Sequence, residues 1–337
     1  MKYFLHLLLF MIVSFVLGAC SLLQGTNESV VKINTSPYLS ITSTTSTEGK
    51  FVIHFYIYDL TTKKVEEVGQ IPMTAQYPLG AIDRKNHTLY YSERDSSGSD
   101  QLIKLDLKTK QRETLTTNLF AINHIIPVDK KIILSTSPKV QRNIPLATYD
   151  LQSKKLILWD EKDHDTSVRS LTLNPFTGKL YAFLYSEKER VQKSKKADIE
   201  QTTKVVPAVH RIAEYDIEGQ MLREIYKAEE MVTLFSVSKV TDLALIRTAS
   251  TVFKERKLYL YNLKTGKKEV LKTDNYGAIE HAFFSPDNQG FFFTARENVK
   301  NQEGNPNALY YYHLQTREIK QIFAKSGSYI NNFMLLN

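Results

Sequence analysis

Leu105-Asp106-Leu107-Lys108-Thr109-Lys110 decides the fold, because its pattern of an apolar residue, Asp, Leu and polar residues recurs. The other copies begin Tyr58-Asp59-Leu60, Tyr149-Asp150-Leu151, Tyr215-Asp216-Ile217, Tyr261-Asn262-Leu263 and Tyr312-His313-Leu314. The second residues, at 59, 106, 150, 216, 262 and 313, are 47, 44, 66, 46 and 51 residues apart. The long interval holds a charged insert, Glu187 to about Lys204. Without it the period is close to that of a four-stranded propeller blade. An Asp or Asn at this place accepts hydrogen bonds from N–H groups two residues on and fixes a hairpin turn. Gly266 suits the left-handed position that closes such a turn, where Lys63, Lys110, Lys154 and Arg317 stand in other copies. A non-Gly residue held left-handed costs about 1 kcal/mol, so those turns are expected to differ.

A second hairpin precedes most copies. Phe283-Phe284-Ser285-Pro286-Asp287-Asn288-Gln289-Gly290-Phe291-Phe292-Phe293 shows it best, with Pro and Asp between two apolar strands. Leu173-Asn174-Pro175-Phe176-Thr177-Gly178 is another. Two hairpins per repeat make strands a, b, c and d of one blade. These two turns resemble the TolB-like and WD-repeat-like family of bacterial β-propellers, which carry Ser-Pro-Asp-Gly at the a–b turn and Asp-Leu-x-Thr-Gly at the c–d turn. The resemblance spans about residues 30 to 337 and implies an all-β propeller, without implying one activity.

Six copies predict six blades. The first has strands c and d within Phe51 to Val68 and strand b near Tyr38 to Ser43, but no clear strand a. Tyr329 to Leu336 is an apolar strand with no blade of its own. Placed as strand a of the first blade, it closes the ring and leaves few sheet edges open. A seventh blade is the alternative, with Val30 to Asn34 adding a strand.

Residues 1–19 read as a secretory signal: Lys2, then an apolar run from Tyr3 to Leu17, then small residues. Leu17-Gly18-Ala19-Cys20 resembles the bacterial lipoprotein signal, which implies that Cys20 is lipidated and that residues 20–29 are a tether. An uncleaved anchor from Phe4 to Leu23 is the alternative. The expected location is the extracytoplasmic face of the cell membrane, or the outer membrane in a Gram-negative envelope.

Composition narrows the function. The 337 residues are 42% hydrophobic and 24% charged, which excludes disorder throughout. One Cys excludes an intrachain disulfide and a Cys-based zinc site. The 36 Tyr and Phe residues favour strands. The net charge of +8 comes from lysines scattered through turns, as on a solvated surface. There is no Gly-x-Ser-x-Gly elbow, no Gly-rich phosphate loop and no His-Glu-x-x-His. Export and the lack of RNA-binding signatures make nucleic acid no partner.

The candidate sites lie where strand a lines the channel and where the b–c and d–a loops share a face. Ala121-Ile122-Asn123-His124 aligns with Ala278-Ile279-Glu280-His281, in blades opposite each other, and with Arg169-Ser170 and Asn331-Asn332. Polar side chains converging there could hold a polar ligand or a cation, or simply satisfy one another between blades. The d–a rim offers His164, Asp165, Tyr276 and Tyr329, beside Tyr77, Asn118 and Asp274. Exposed Tyr with Asn and Asp suits partner recognition, although turns use the same residues. The insert, with Arg190, Lys193, Lys195 and Lys196, is read as a charged b–c loop, either binding or merely solvated. The reading is a lipid-anchored, monomeric binding or scaffolding module with no cofactor and no resident metal, taking a protein or peptide on its loop face. The alternative is a metal-dependent hydrolase of the lactonase or sugar-acting kind, with Glu280, Asn123 and Asn331 as ligands at the channel.

Overall fold

Six antiparallel sheets follow one another along the described chain, and four of them are simple four-stranded meanders. The computed structural model describes residues 36–251, 257–273, 275–277, 279–297 and 307–337. The signal, Cys20, the tether, the strand expected at 30–34, Asp274 and Ala278 lie outside them.

The first blade takes strand a from Ser328–Leu336 and strands b to d from Tyr38–Thr47, Lys50–Asp59 and Val65–Pro72. The innermost strands of blades 2 to 5 are Gly80–Asp83, Leu119–Val128, Thr166–Asn174 and Met231–Val237. Blade 6 has its strand a in two pieces, Tyr276–Gly277 and Ala282–Phe284, both paired with strand b, Gly290–Glu297.

The ring closes as the sequence predicts. Tyr38 pairs with Leu336, Leu39 with Leu335 and Ile41 with Phe333. Phe333 is fully buried, with its ring edge-on to Phe283 at 5.2 Å. Among the described residues there are six blades.

Blades stack face to face, so inner strands are buried on both sides. This is why Leu180–Tyr185 is an unbroken apolar run with every residue buried. The d strands face water and read polar instead, as in the exposed Lys268–Val270. Charged outer strands also blunt the open sheet edges.

The c–d turns share one construction. Asp106 Oδ1 accepts the N–H groups of Lys108 at 2.8 Å and Thr109 at 2.7 Å. Asp59, Asp150 and Asn262 do the same in their blades. In the last copy His313 Nδ1 takes the place of the carboxylate, accepting from Thr316 N–H at 3.1 Å. Lys63, Lys110, Lys154 and Arg317 have φ of 59, 60, 55 and 62°, beside 72° for Gly266. Contrary to expectation, these turns do not differ. The side-chain cap and the closing N–H to C=O bond, 2.9 Å from Lys110 to Asp106, hold the left-handed residue in place.

The a–b turn of blade 6 is built on Ser285, whose Oγ donates to Asp287 and accepts Gly290 N–H at 3.1 Å. Gly290 is required there, since a Cβ would lie 2.1 Å from the Tyr312 carbonyl oxygen.

The insert departs from the reading as a loop. Glu187–Ile199 is a helix between strands b and c of blade 4. Ser186 caps it by accepting Glu189 N–H at 3.0 Å, and Asp165 accepts Lys188 N–H at 2.7 Å. Three of its five cations meet carboxylates of the insert. Arg190 meets Glu187 at 2.7 Å, Lys193 meets Glu189 at 2.9 Å, and Lys196 lies 3.8 Å from Glu200.

Candidate functional site

Strand a is irregular in five of the six blades, at the level where the channel opens toward the b–c and d–a loops. A β-bulge leaves one residue without a partner on the neighbouring strand and re-aims it. In blade 3 the pairing skips Asn123 between Ile122 and His124. In blade 4 it skips Arg169, between Val168 and Ser170. In blade 1 Thr42 pairs with Asn332 and Ser43 with Ile330, which leaves out Asn331. Blade 5 has the same shift between Val232 and Leu234. In blade 6 the gap between the two pieces of strand a carries Glu280 and His281.

These residues surround one cavity of about 600 Å³, lined by Tyr77, Asn123, His124, Arg169, Tyr185, Arg247, Glu280, His281, Tyr329 and Asn331, with Pro78, Leu79, Ile144 and Val168 as its apolar wall. A narrower space of about 140 Å³ continues below, between Ile125, Leu171, Phe283 and Phe333. His124, Arg169, Glu280 and His281 line both.

The two histidines form a neutral floor. Leu171 N–H donates to His124 Nε2 at 3.4 Å, so the proton sits on Nδ1, which donates to Ser135 Oγ at 2.7 Å. Burial, then the nearby His281, pushes the His124 pKa down to about 3. His281 Nε2–H donates to the Asn331 carbonyl at 3.1 Å, and burial lowers its pKa as well. Above them Tyr329 O–H donates to Glu280 Oε2 at 2.6 Å. Burial, then that carboxylate, pushes the Tyr329 pKa up to about 12. The Arg296 guanidinium lies 5.5 Å from the centre of the Tyr329 ring.

The loop bearing Tyr77 is fixed from below. Both oxygens of the buried Asp100 accept Gln76 N–H, at 3.1 and 3.2 Å, and burial raises the Asp100 pKa.

Seven of the residues singled out from the sequence therefore meet around the mouth: Asn123, His124, Arg169, Glu280, His281, Tyr329 and Asn331. Three do not line it. Asp165 caps the helix, with Ser186 Oγ donating to it at 2.6 Å. His164 is exposed beside it. Tyr276 packs edge-on against Phe293 and Tyr310 at 5.8 and 4.8 Å. Arg247 and Tyr185 were missed because they come from strand b. Arg247 carries a legible signal, a lone charge inside Leu243-Ala244-Leu245-Ile246-Arg247.

Among the described residues no three His, Cys, Asp or Glu side chains gather where they could hold a cation. Of the three ligands in the hydrolase alternative, Asn331 Oδ1 already accepts Thr44 Oγ1 at 2.6 Å and Glu280 is held by Tyr329.

Against solved structures, TolB from Acinetobacter baumannii superposes with a TM-score of 0.58 at 15% identity, over 89% of this chain and 67% of that one. The chain has a TolB-like β-propeller fold. A second TolB-like structure, from Agrobacterium tumefaciens, gives 0.56 at 12% identity, over 89% of this propeller chain and 98% of that one. An oligogalacturonate lyase in complex with manganese gives 0.51 at 15% identity, over 78% and 73%. Identities this low fix the TolB-like fold and leave the function to the site. No family model matches the sequence, and no curated protein matches it either.

Proposed function

We propose that the protein is a binding module, tethered outside the cell membrane through a lipid on Cys20, whose channel mouth receives a segment of a partner protein. The single observation that carries this is the set of strand-a irregularities. Asn123, Arg169 and Asn331 are each the residue that the strand register skips at a bulge, and all three line the same cavity. A repeat fold that breaks its ladder at one level, in blade after blade, is maintaining a site there at some cost in regularity.

The rim supports a protein partner. Phe51, Tyr77, Phe120, Val140 and Ile199 are all exposed and lie at the strand ends or loops of that face, with Val140 93% exposed. Apolar side chains around a polar centre are typical of partner-binding surfaces. The likeness to TolB structures fits this reading without deciding it. The hydrolase alternative has only the fold-level likeness to a manganese-bound lyase behind it.

Photocrosslinking amino acids at Phe120, Val140 and Val240 test the reading in the native cells. Val240 is exposed in the a–b turn of blade 5, on the other face. One discrete adduct from Phe120 and Val140, absent from Val240, is expected. No adduct from the rim, or an equal one from Val240, removes it. The anchor has its own test: labelled palmitate should be incorporated by the wild type and not by Cys20→Ser.

A further inference from the structure

A second cleft, of about 330 Å³, opens between blades 3 and 4. Among the described residues only Val168 lines both it and the channel mouth. Buried Leu146, Val168 and Leu184 form its apolar base. One wall is aromatic: Trp159, which follows strand d of blade 3, and Tyr215 of blade 4, with ring centres 5.3 Å apart. Trp159 is the only tryptophan of the chain, and it is held on three sides. Its Nε1–H donates to Thr148 Oγ1 at 2.8 Å, Tyr215 packs against it, and a Cβ on Gly219 would stand 2.8 Å from its Cδ2. The rim is polar, with Asp160, Asp163 and Arg211. Each carboxylate fixes its own loop through Oδ1. Asp160 accepts the N–H groups of Lys162 and Asp163 at 3.1 and 3.2 Å, and Asp163 accepts those of Asp165 and Thr166, both at 2.8 Å. An ionised carboxylate has about four acceptor sites, so both keep capacity for a ligand. All three charges act on the phenol. Burial raises the Tyr215 pKa, Arg211 opposes that, and Asp163 and Asp160 add to it.

We propose that this cleft is a second binding site, for a saccharide unit whose ring lies against Trp159 and Tyr215 while its hydroxyls meet Asp160, Asp163 and Arg211. A sugar ring has C–H groups on its face, which suit the electron-rich face of an aromatic ring. Its edge carries hydroxyls, each able to donate and to accept. One small unit therefore satisfies both the aromatic wall and a rim that mixes acceptors with a donor. A wholly apolar guest would cover those polar groups without pairing them, at a cost in free energy. An anion would meet two carboxylates and one guanidinium. The volume is that of a small-molecule site. The aromatic wall is fixed before the ligand arrives, so little ordering is left for binding to supply.

The test is an array of neutral, N-acetylated and acidic oligosaccharides, probed with the purified full chain in a detergent that carries no sugar. Binding of neutral or N-acetylated members is expected. In solution the bound members should give a saturable change in tryptophan emission, which comes from Trp159 alone. Tyr215→Phe keeps the ring and removes the hydroxyl, and should weaken binding about five-fold. Arg211→Gln removes a charged donor and should weaken it about ten-fold or more. Glu280→Gln, at the channel mouth, should bind as the wild type does. The array and the emission need only the wild type, so a variant that fails to fold does not spoil the test. No bound member, or binding that leaves the emission unchanged, overturns the proposal. Binding weakened by Glu280→Gln and by neither Tyr215→Phe nor Arg211→Gln overturns it too. The partner reading of the mouth has its own crosslinking test and stands or falls apart from this one.

Discussion

The two faces of the ring are built on opposite principles. On the face of the a–b and c–d turns, one solution is repeated: an Asp or Asn accepts two N–H groups and a left-handed residue follows. Asp59, Asp106, Asp150 and Asn262 are interchangeable in this. On the face of the b–c and d–a loops each blade differs. There the strands bulge, a helix is inserted in blade 4, and arginine, histidine and glutamate come together. Repetition specifies the architecture, and departures from repetition specify the site.

The largest effect is expected where neither face is involved. Phe333→Ala removes a fully buried ring from the strand that closes the circle. It should cost about 3–5 kcal/mol in urea unfolding. A loss under about 1 kcal/mol would show that closure contributes little and that the turn face alone holds the ring.

Acid separates the faces. His124 is neutral in the fold, with its pKa pushed from 6.5 down to about 3. Its contribution is complete above about pH 6.5 and is lost as pH falls toward 3. At pH 5 the loss is about 2 kcal/mol, and His124→Gln should reduce the slope of the stability profile between pH 6.5 and 5, leaving the part due to His281 and His210.

Asp59 works in a lower window. Burial alone would raise its pKa, but the N–H groups of Thr62 and Thr61 and the Arg84 guanidinium at 2.9 Å outweigh that and hold it at about 2. Its contribution is present above about pH 4 and is lost as pH falls through 2. Both Asp59 and Arg84 are largely buried, so about 2 kcal/mol is at stake. Asp59→Asn should leave the step between pH 6.5 and 5 untouched and change the curve only below 4. If both variants alter the same window, the two faces do not titrate separately.

The smallest effect is a gain. Lys110 sits at φ 60°, where glycine carries no Cβ penalty. Lys110→Gly should stabilise by about 0.5–1 kcal/mol in thermal unfolding. The bulged Asn123→Gly should show no such gain if its side chain is there for the site.

The turn face could be read from sequence because its signals are local. Asp-Leu followed by polar residues, and Ser285-Pro286-Asp287, each fix a hairpin within six residues. Their spacing supplied the blades, and Tyr329 to Leu336 supplied closure by being left over. The loop face resisted because its determinants are not local. The helix Glu187–Ile199 buries only Ala197, so it carries no apolar stripe. Its one readable sign was the capping pair Ser186 and Glu189. Arg247 reaches the mouth from strand b, which an alignment of strand a does not examine. His164, Asp165 and Tyr276 had suitable chemistry, but Asp165 is used up in capping the helix and Tyr276 in ring packing.

The pairing of Ser328–Leu336 with Tyr38–Thr47 joins the two ends of the described chain across the whole fold. During synthesis the ribosome releases the inner strand of the first blade only after the five later blades have emerged. A nascent chain therefore cannot lock its circle early. The same seam that makes the finished ring robust keeps the unfinished one pliable until the last strand arrives.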